Sequence, residues 1–262
     1  MTYSNLVDQA SQEEVKAAFL QAGIAEENVE KFFEQVVFFN ETAGTGSLVA
    51  SGFAQSEGLT PEYDLSPILE NLEQKSPDFI GYNCRITSFN LMKDLITIQK
   101  PEIADTSKLF MDKDALEHSP QRVFTAAESQ LFESFYSLVP TITTKDQAVH
   151  FENIKKSWAE KGVSFKKSKA SLISVWMHSH FEGEEDFLFI GHIGVLIDTG
   201  KEFLFVEKLA FDEPYQAIKF RTRADLAAYL KAKYDTEYNQ PTASPILLEN
   251  DQPLGELMSL EK

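Results

Sequence analysis

The chain has 262 residues, enough for one large domain or two small ones. Apolar residues make up 43% and aromatic residues 12%, a composition that excludes an intrinsically disordered protein. The formal net charge of −17 argues against a nucleic-acid-binding protein and against binding to an anionic membrane, because both partners need a positive surface. No apolar run reaches transmembrane length, so we expect no membrane insertion. The single cysteine, Cys84, excludes an internal disulfide.

Residues 1–75 are predicted to contain helices and one long loop. Ser11-Gln-Glu-Glu14 has the pattern of a capping box with an apolar stripe behind it, and residues 25–40 follow as a second amphipathic helix. Residues 41–59 are rich in Gly, Ser and Thr and are typical of a loop, either a lid over a site or a mobile connection. A short helix is predicted over 67–73, because a cap residue precedes its first proline.

Residues 76–100 are predicted to form a helix that carries the cysteine. Apolar residues recur every three to four positions downstream of Cys84, as on the buried face of a helix. Asn83 is a good N-cap residue, which places Cys84 in the first turn, where unpaired N–H groups and the helix dipole favour the thiolate. Cys84 is therefore a candidate nucleophile. The alternative is a small buried apolar side chain, as most free cysteines are.

Residues 101–165 are predicted to be a helical insertion. Asp112-Lys-Asp114 briefly resembles a calcium loop, but the glycine and the terminal glutamate are missing, so calcium is excluded. Thr125-Ala-Ala-Glu128 is a second capping box and opens a helix. A further helix is expected over about 145–161, and Gly162 follows as its C-cap.

Residues 166–235 are predicted to form an antiparallel sheet and a last helix. Three segments dense in Ile, Val, Leu and Phe predict consecutive strands, namely 170–181, 187–197 and 202–211. An amphipathic helix follows over 223–234, and residues 236–262 are predicted to be an extended tail. Because the helices come first and the sheet second, we predict a single α+β domain over residues 1–262.

A histidine and a glutamate are aligned by the predicted hairpin. His192 lies between two glycines in the second strand, where a substrate or another backbone can approach closely. If Asp198-Thr-Gly200 forms a two-residue turn, His192 lies opposite Glu207, with Cβ atoms about 5 Å apart. A cross-strand carboxylate can orient an imidazole as a general base, so Cys84, His192 and Glu207 would form a nucleophile–base–orienter set. The alternatives are a core histidine, and a glutamate that is outward-facing or paired with Lys208.

A metal site is an alternative on the neighbouring strand. His178 and His180 are two residues apart, so their side chains share one side of the strand. With Glu184 and Gly191 they have the spacing of the first metal motif of cupins, in which two histidines and a carboxylate hold Fe, Mn or Zn. A second cupin motif is not found, and Glu184 also fits an ordinary acidic turn.

Three runs carry a resemblance to known families: residues 81–85 (Gly-Tyr-Asn-Cys-Arg), 191–197 (Gly-His-Ile-Gly-Val-Leu-Ile) and 205–211 (Phe-Val-Glu-Lys-Leu-Ala-Phe) with the Glu-Pro-Tyr-Gln that follows. Over nearly the whole chain they resemble bacterial domain-of-unknown-function family 4300. More distantly, their order is similar to NlpC-type peptidases of the papain-like class. In those enzymes a cysteine opens a helix, a histidine starts a strand in a His-x-Gly pattern, and a polar residue follows on the adjacent strand.

The papain-like resemblance implies a fold and a reaction. The fold would be an α+β, NlpC-type core in which the Cys84 helix packs on the antiparallel sheet, with extra helices around it. The reaction would be that of a cysteine hydrolase or acyltransferase on an amide bond, with Cys84, His192 and Glu207 as the triad and no cofactor. The backbone N–H of Cys84, with Tyr82 or Asn83, would form the oxyanion hole. A peptide of the cell wall is the expected substrate.

Two other functions stay open at this point. A non-catalytic surface or binding protein of the same fold fits the acidic surface and the loop 41–59 equally well, and a cupin-like metal-binding protein is the third reading. Resemblance to family 4300 implies an exported lipoprotein on the bacterial surface, whose signal or lipobox would be absent from this chain. The cytoplasm is the alternative location. No pattern in the chain predicts an oligomeric state.

Overall fold

The computed structural model describes residues 1–236 and 239–259 and has an α+β fold. Its helices are α1 (Gln9–Gln21), α2 (Glu26–Ala43), α3 (Ser66–Lys75), α4 (Cys84–Met92), α5 (Phe110–Glu117), α6 (Ala126–Tyr136), α7 (Gln147–Lys161) and α8 (Arg223–Tyr234). Its strands are β1 (Thr2–Ser4), β2 (Ala54–Gln55), β3 (Ile96–Ile98), β4 (Val139–Pro140), β5 (Val163–Phe165), β6 (Ala170–Ser179), β7 (Phe187–Asp198), β8 (Phe203–Lys208), β9 (Tyr215–Phe220), β10 (Ile246–Glu249) and β11 (Gln252–Pro253).

The main sheet is antiparallel and follows the order β11-β10-β6-β7-β8-β9-β1-β2, with β4 paired to the start of β7. The predicted meander of β6, β7 and β8 forms its centre. On either side lie strands that the sequence did not predict. β9 pairs with β8, and the N-terminal β1 pairs with β9. The chain returns with β10, which pairs with β6. β3 and β5 form a separate two-stranded ribbon.

Apolar side chains on the two faces of the sheet belong to two cores. Along β7, Ile193 and Val195 belong to the larger core, which the N-terminal and inserted helices share, while Leu196 belongs to the smaller core under α8. This is the alternation expected of a strand buried on both faces. The inserted helices join the larger core through Phe132 and Phe135 of α6, whose rings lie 5.5 and 6.4 Å from that of Phe89 in α4.

Most predicted helices are confirmed, with shifted ends in some cases. The capping box at Thr125, the Gly162 C-cap and the helix over 223–234 are present as predicted. The capping box at Ser11 is wrong: Asp8 is the N-cap, its carboxylate accepts from the N–H and hydroxyl of Ser11, and α1 begins three residues earlier than expected. An aspartate three residues upstream is the better cap because its carboxylate accepts both bonds.

Two other segments are more ordered than predicted. β2 lies within the loop 41–59 and pairs with β1. The predicted tail 236–262 contains β10 and β11, and Leu247 of β10 pairs with Val175. An apolar run such as Ile-Leu-Leu can serve as a strand when a sheet edge is available, which a reading of local pattern does not reveal. Residues 237–238 and 260–262 of that tail lie outside the described residues.

Candidate active site

Cys84 is the first residue of α4, as predicted. The side chain of Asn83 caps the helix by accepting a hydrogen bond from the N–H of Ile86 at 3.0 Å. Just upstream, Gly81 has φ +94°, and a Cβ there would lie 2.3 Å from the carbonyl oxygen of Phe211. Only glycine allows this close approach, so the chain enters the helix against the 209–214 segment. Cys84 therefore lies in the first turn of α4, where the backbone N–H groups have no acceptors within the helix.

A buried ion pair holds this helix terminus in place. The guanidinium of Arg85 donates two hydrogen bonds to the carboxylate of Asp112 on α5, at 2.9 and 2.6 Å, and the amide of Asn83 donates a third at 2.7 Å. Arg85 also donates to the carbonyl of Ile190 on β7, and the hydroxyl of Ser88 donates to the carbonyl of Ile193. These last two bonds tie α4 to β7 on both sides of His192.

A bulge in β7 sets the direction of His192. Val175 pairs with His192, but Trp176 pairs with Ile190, so Gly191 is an extra residue in the strand. A Cβ on Gly191 would lie 2.4 Å from the sulfur of Met177. Bulges commonly redirect a side chain next to an active site, and the glycine permits it here.

The hairpin between β7 and β8 differs from the predicted one by two residues. Asp198 pairs with Phe203 and Val195 with Val206, so four residues rather than two connect the strands. Continued at the same offset, this register would set Glu207 opposite Gly194 rather than opposite His192. A register shift of two residues leaves each side chain on the same face of the sheet. His192 and Glu207 therefore still meet, as diagonal rather than directly opposite neighbours.

The imidazole of His192 forms a short hydrogen bond through Nε2 to Oε2 of Glu207, and both side chains are buried. Nδ1 is therefore the ring nitrogen available to Cys84. The ring of Tyr234, at the end of α8, stacks on that of His192 with 4.7 Å between centroids and 19° between planes. Exposure is low throughout: 5% for Cys84, 1% for His192 and 0% for Glu207.

A network of neutral donors surrounds the other oxygen of Glu207. Its Oε1 accepts hydrogen bonds from the amide of Gln216 at 2.6 Å and from the hydroxyl of Tyr229 at 2.5 Å. Gln216 is the direct cross-strand partner of Glu207, and its own oxygen accepts from the hydroxyl of Tyr63. Glu207 is thus fully hydrogen-bonded and held toward His192.

The three groups shift one another's pKa values. Burial opposes ionisation of the Cys84 thiol, but the nearby His192 imidazolium outweighs it and lowers the pKa of Cys84. Burial would discharge His192, yet the Cys84 thiolate and the Glu207 carboxylate raise its pKa to about 9. Burial likewise opposes ionisation of Glu207, and the charge of His192 lowers its pKa. The three shifts act in the same direction, since each favours the charged form of its group: thiolate, imidazolium and carboxylate.

With this geometry in place, the chain was compared with known proteins. The family model described as Domain of unknown function (DUF4300) matches residues 2–254. The chain belongs to this family. No curated protein matches this DUF4300 chain, and no solved structure matches it. Within the part of the chain that the structure describes, helices long and apolar enough to cross a membrane are absent.

The residues proposed for the oxyanion hole of this DUF4300 chain have other partners. Both ends of the Asn83 side chain are engaged, one with Ile86 and the other with Asp112. The hydroxyl of Tyr82 lies 2.6 Å from that of Ser119. The backbone N–H of Cys84 therefore remains the candidate donor for an oxyanion, since the first N–H groups of a helix have no intrahelical acceptors.

The three residues of the cupin-like metal set are not brought together in the described structure. His178 and His180 do converge, but on Asp186: its two oxygens lie 2.8 Å from His178 Nε2 and 2.7 Å from His180 Nδ1. Glu184 is exposed in the turn between the strands. Over residues 1–236 and 239–259 no group of three or more His, Cys, Asp or Glu side chains is arranged to hold a metal ion. The two histidines share a face, as their two-residue spacing predicts, and the carboxylate that both rings meet is Asp186 rather than Glu184.

Sequence reasoning missed several residues that support the site. Asp112 was considered only as a calcium ligand, and nothing local connects it to Arg85, because the pair is 27 residues apart. Gln216 lies opposite Glu207 because the six residues 209–214 connect β8 and β9, a loop length that the sequence does not fix. Tyr229 and Tyr234 lie five residues apart on α8, and only its packing against the sheet brings both to the triad.

Proposed function

We propose that this chain is a cysteine hydrolase or acyltransferase that acts on an amide bond through Cys84, His192 and Glu207. The observation that carries the proposal is a thiol at a helix N-terminus beside an imidazole whose Nε2 is hydrogen-bonded to a buried carboxylate. The pKa shifts of Cys84 and His192 are in the directions that charge both groups. The same three roles on a helix and two strands support the papain-like reading of the fold.

In the first half of the reaction the Cys84 thiolate attacks the carbonyl carbon of the amide. A carbon–sulfur bond forms, and the oxygen takes up the negative charge, within reach of the Cys84 N–H. The His192 imidazolium gives its Nδ1 proton to the leaving nitrogen as the carbon–nitrogen bond breaks. An acyl-thioester on Cys84 and a free amine result.

In the second half His192, now neutral, takes a proton from the acceptor. Water as acceptor gives hydrolysis, and an amine or hydroxyl group gives acyl transfer. The acceptor oxygen or nitrogen bonds to the acyl carbon, and the sulfur leaves as the thiolate, which restores the starting state. Throughout, Glu207 holds Nε2 and stabilises the charge that appears on the ring.

Substrate and location follow the resemblance to NlpC-type peptidases and to exported lipoproteins. We propose a peptide of the bacterial cell wall as the substrate and the cell surface as the location. The acidic character of the chain fits a protein exposed to solvent.

The test is the rate of iodoacetamide alkylation against pH, in the wild-type protein and in His192→Ala. Because Cys84 is the one cysteine of the sequence, the label reports a single site. A thiol with a pKa of about 8.5 is roughly 0.3% ionised at pH 6, so labelling near its maximal rate at that pH requires a stabilised thiolate. We expect fast labelling at pH 6 in the wild type and labelling slowed about tenfold or more in His192→Ala. Without the imidazolium less of the thiol is ionised, and this loss outweighs the greater nucleophilicity of a more basic thiolate.

His118→Ala is the matched control, because His118 is an exposed histidine at the end of α5 and its loss should leave the rate unchanged. Labelling that rises only above pH 8 in the wild type, with no effect of His192→Ala, would contradict the proposal and indicate a structural thiol.

A second candidate, a non-catalytic binding protein with this fold, is favoured by one observation. Cys84 is only 5% exposed, so a substrate reaches the sulfur only if covering side chains move. If iodoacetamide fails to label the native protein at any pH but labels it at once in denaturant, this second function replaces the first.

A further inference from the structure

A cavity of about 680 Å³ lies beside the triad, in the size range of sites for small ligands. Its wall is formed by the end of β6, the end of α8 and the segment 242–245, with Phe181 and Phe189 on the apolar side. Phe181 is 54% exposed, and the ammonium of Lys108 lies 5.8 and 5.9 Å from these two rings. The cavity is therefore open to solvent on an aromatic rim.

The cavity borders the catalytic histidine through two side chains. Tyr234 lines the cavity and stacks on the ring of His192. Met177 also lines it and covers Gly191, the residue before His192. The Tyr234 hydroxyl is buried and finds no hydrogen-bond partner within the described residues, so a polar group in the cavity could satisfy it. The ring of Tyr234 therefore lies between the cavity and the imidazole of His192.

The charges on the wall of the cavity are mainly positive, although the chain as a whole carries −17. Lys145 and Lys233 line it, and in the described part of the chain neither lysine has a carboxylate within ion-pair distance. Among the described residues of the lining, Asp235 is the one carboxylate. The charge of Lys233 also contributes to the lowered pKa of Glu207, so its field reaches the triad.

The two histidines of the wall both bind a carboxylate outside the cavity lining, and His178 is engaged through both of its ring nitrogens. Both rings bind Asp186, and Nδ1 of His178 additionally accepts the N–H of Ala243. A ligand that enters the cavity therefore meets the ammonium groups of Lys145 and Lys233 and an aromatic rim. This set of groups suits a carboxylate next to an apolar group.

We propose that this cavity binds a carboxylate of the substrate, so that the amide attacked by Cys84 belongs to an acidic peptide. The proposal rests on the function proposed above. Lys145 and Lys233 attract the carboxylate, and Tyr234 separates it from the reacting amide by one side chain. Specificity toward acidic substrates in a strongly acidic protein then requires a local reversal of charge, which these two lysines supply.

The experiment compares two alkylating reagents that differ only in charge. N-iodoacetylglycine carries a carboxylate one residue beyond the reactive carbon, and N-iodoacetylglycinamide is its neutral counterpart. The preference of a thiol is its alkylation rate with the acid divided by its rate with the amide. At low salt and pH 6 we expect this ratio to be roughly threefold higher for Cys84 than for the neutral thiol N-acetylcysteinamide. The preference should disappear in Lys145→Gln/Lys233→Gln and decrease with added salt.

Lys166→Gln/Lys201→Gln is the matched control, since it removes the same net charge from positions that do not line the cavity. It should keep the wild-type preference. If the preference is equal in the wild type and in the cavity variant, the cavity does not select carboxylates. The rate with the neutral reagent separates this result from failure of the enzyme proposal. Fast labelling by the amide with no preference overturns only the cavity, whereas slow labelling at pH 6 overturns both.

Discussion

Two clusters of histidine and carboxylate lie in the same sheet, yet only one has the form of a catalytic site. In the first, His192 binds Glu207 through one nitrogen and leaves the other to Cys84. In the second, the carboxylate of Asp186 binds two histidines. Each carboxylate is buried and has a pKa below its ordinary value, because the histidine hydrogen bonds outweigh the burial that would raise it.

The difference between His178 and His192 lies in what meets the second nitrogen of each ring. The backbone N–H of Ala243 donates to Nδ1 of His178, so this ring has no position for a nucleophile. A helix terminus with a thiol occupies the corresponding place at His192. A buried histidine–carboxylate pair is therefore a structural unit by default, and it becomes a candidate base only when the second nitrogen faces an ionisable group.

The largest effect on stability is expected from removing Asp112, the charge partner of Arg85 beside the first cluster. Asp112→Asn leaves the guanidinium of Arg85, which is 13% exposed, without its charge partner. We expect a loss of about 3 kcal/mol in the free energy of unfolding, measured by urea titration. Asp114→Asn on the same helix is the control: this aspartate is 55% exposed, and its loss should cost under about 0.5 kcal/mol. Equal costs for the two variants would show that Asp112 does not hold the terminus of α4.

Breaking the second cluster should affect stability and leave the thiol unchanged. Asp186→Asn weakens hydrogen bonds to two histidines, so we expect a cost of about 2 kcal/mol at pH 6. Because the pKa of Asp186 is lowered from 3.8 in the folded state, its stabilisation is present above that pH and is lost as the pH falls. The difference between the urea titrations of the two proteins should therefore shrink as the pH is lowered below 3.8. Iodoacetamide labelling of Cys84 at pH 6 should not change, and a slower rate would mean that the two clusters are coupled.

The same change from carboxylate to amide in the first cluster should lower the rate at which the Cys84 thiol is labelled. Glu207→Gln keeps an oxygen for the His192 ring and removes the charge that helps to raise the pKa of His192. A less charged imidazole stabilises the thiolate less, and we expect labelling at pH 6 to slow about fivefold. If the rate stays within the error of the wild type, Glu207 acts only as a packing residue.

The smallest effect is expected from removing one hydrogen bond to Oε1 of Glu207. Tyr229→Phe removes one of two hydrogen bonds to Oε1, and the amide of Gln216 remains. The expected cost is about 1 kcal/mol in the free energy of unfolding, with less than a twofold change in the labelling rate. Differential scanning calorimetry and the labelling assay test the two halves of this expectation. A rate loss as large as that of Glu207→Gln would place Tyr229 among the positioning residues.

Local patterns predicted the start of α4, most other helices and the central meander correctly. The cap at Asn83 and the apolar spacing after Cys84 depend on neighbours within four residues, which the sequence shows directly. β1 and β10 were missed because their partner strands lie far along the chain, whereas β9 was missed although it forms a hairpin with β8. The turn of the main hairpin was taken as two residues, although four connect its strands, because a glycine alone does not determine loop length.

The candidate site shows the same division. His192 and Glu207 were paired by a register that was off by two, and the parity of a strand kept the pairing on one face. A register error of one residue would have placed the two side chains on opposite faces of the sheet. His178 and His180 were placed correctly on a shared face, while their carboxylate was misassigned because turn residues carry no such periodicity. Asp112 and Tyr234 depend on packing between elements, which local patterns do not encode.

The order of the strands also bears on how the chain folds. Thr2–Ser4 pair with Ala217–Lys219, and Ile246–Glu249 pair with Ile173–Trp176, so contacts at the sheet's outer strands join residues that are distant in sequence. Such non-local pairing slows folding because long loops must close before the contacts form. During synthesis β6 has an open edge until Glu249 has been made, and an open edge is a template for association with other chains. Cotranslational folding of this protein would therefore proceed through an aggregation-prone intermediate that only the last strands protect.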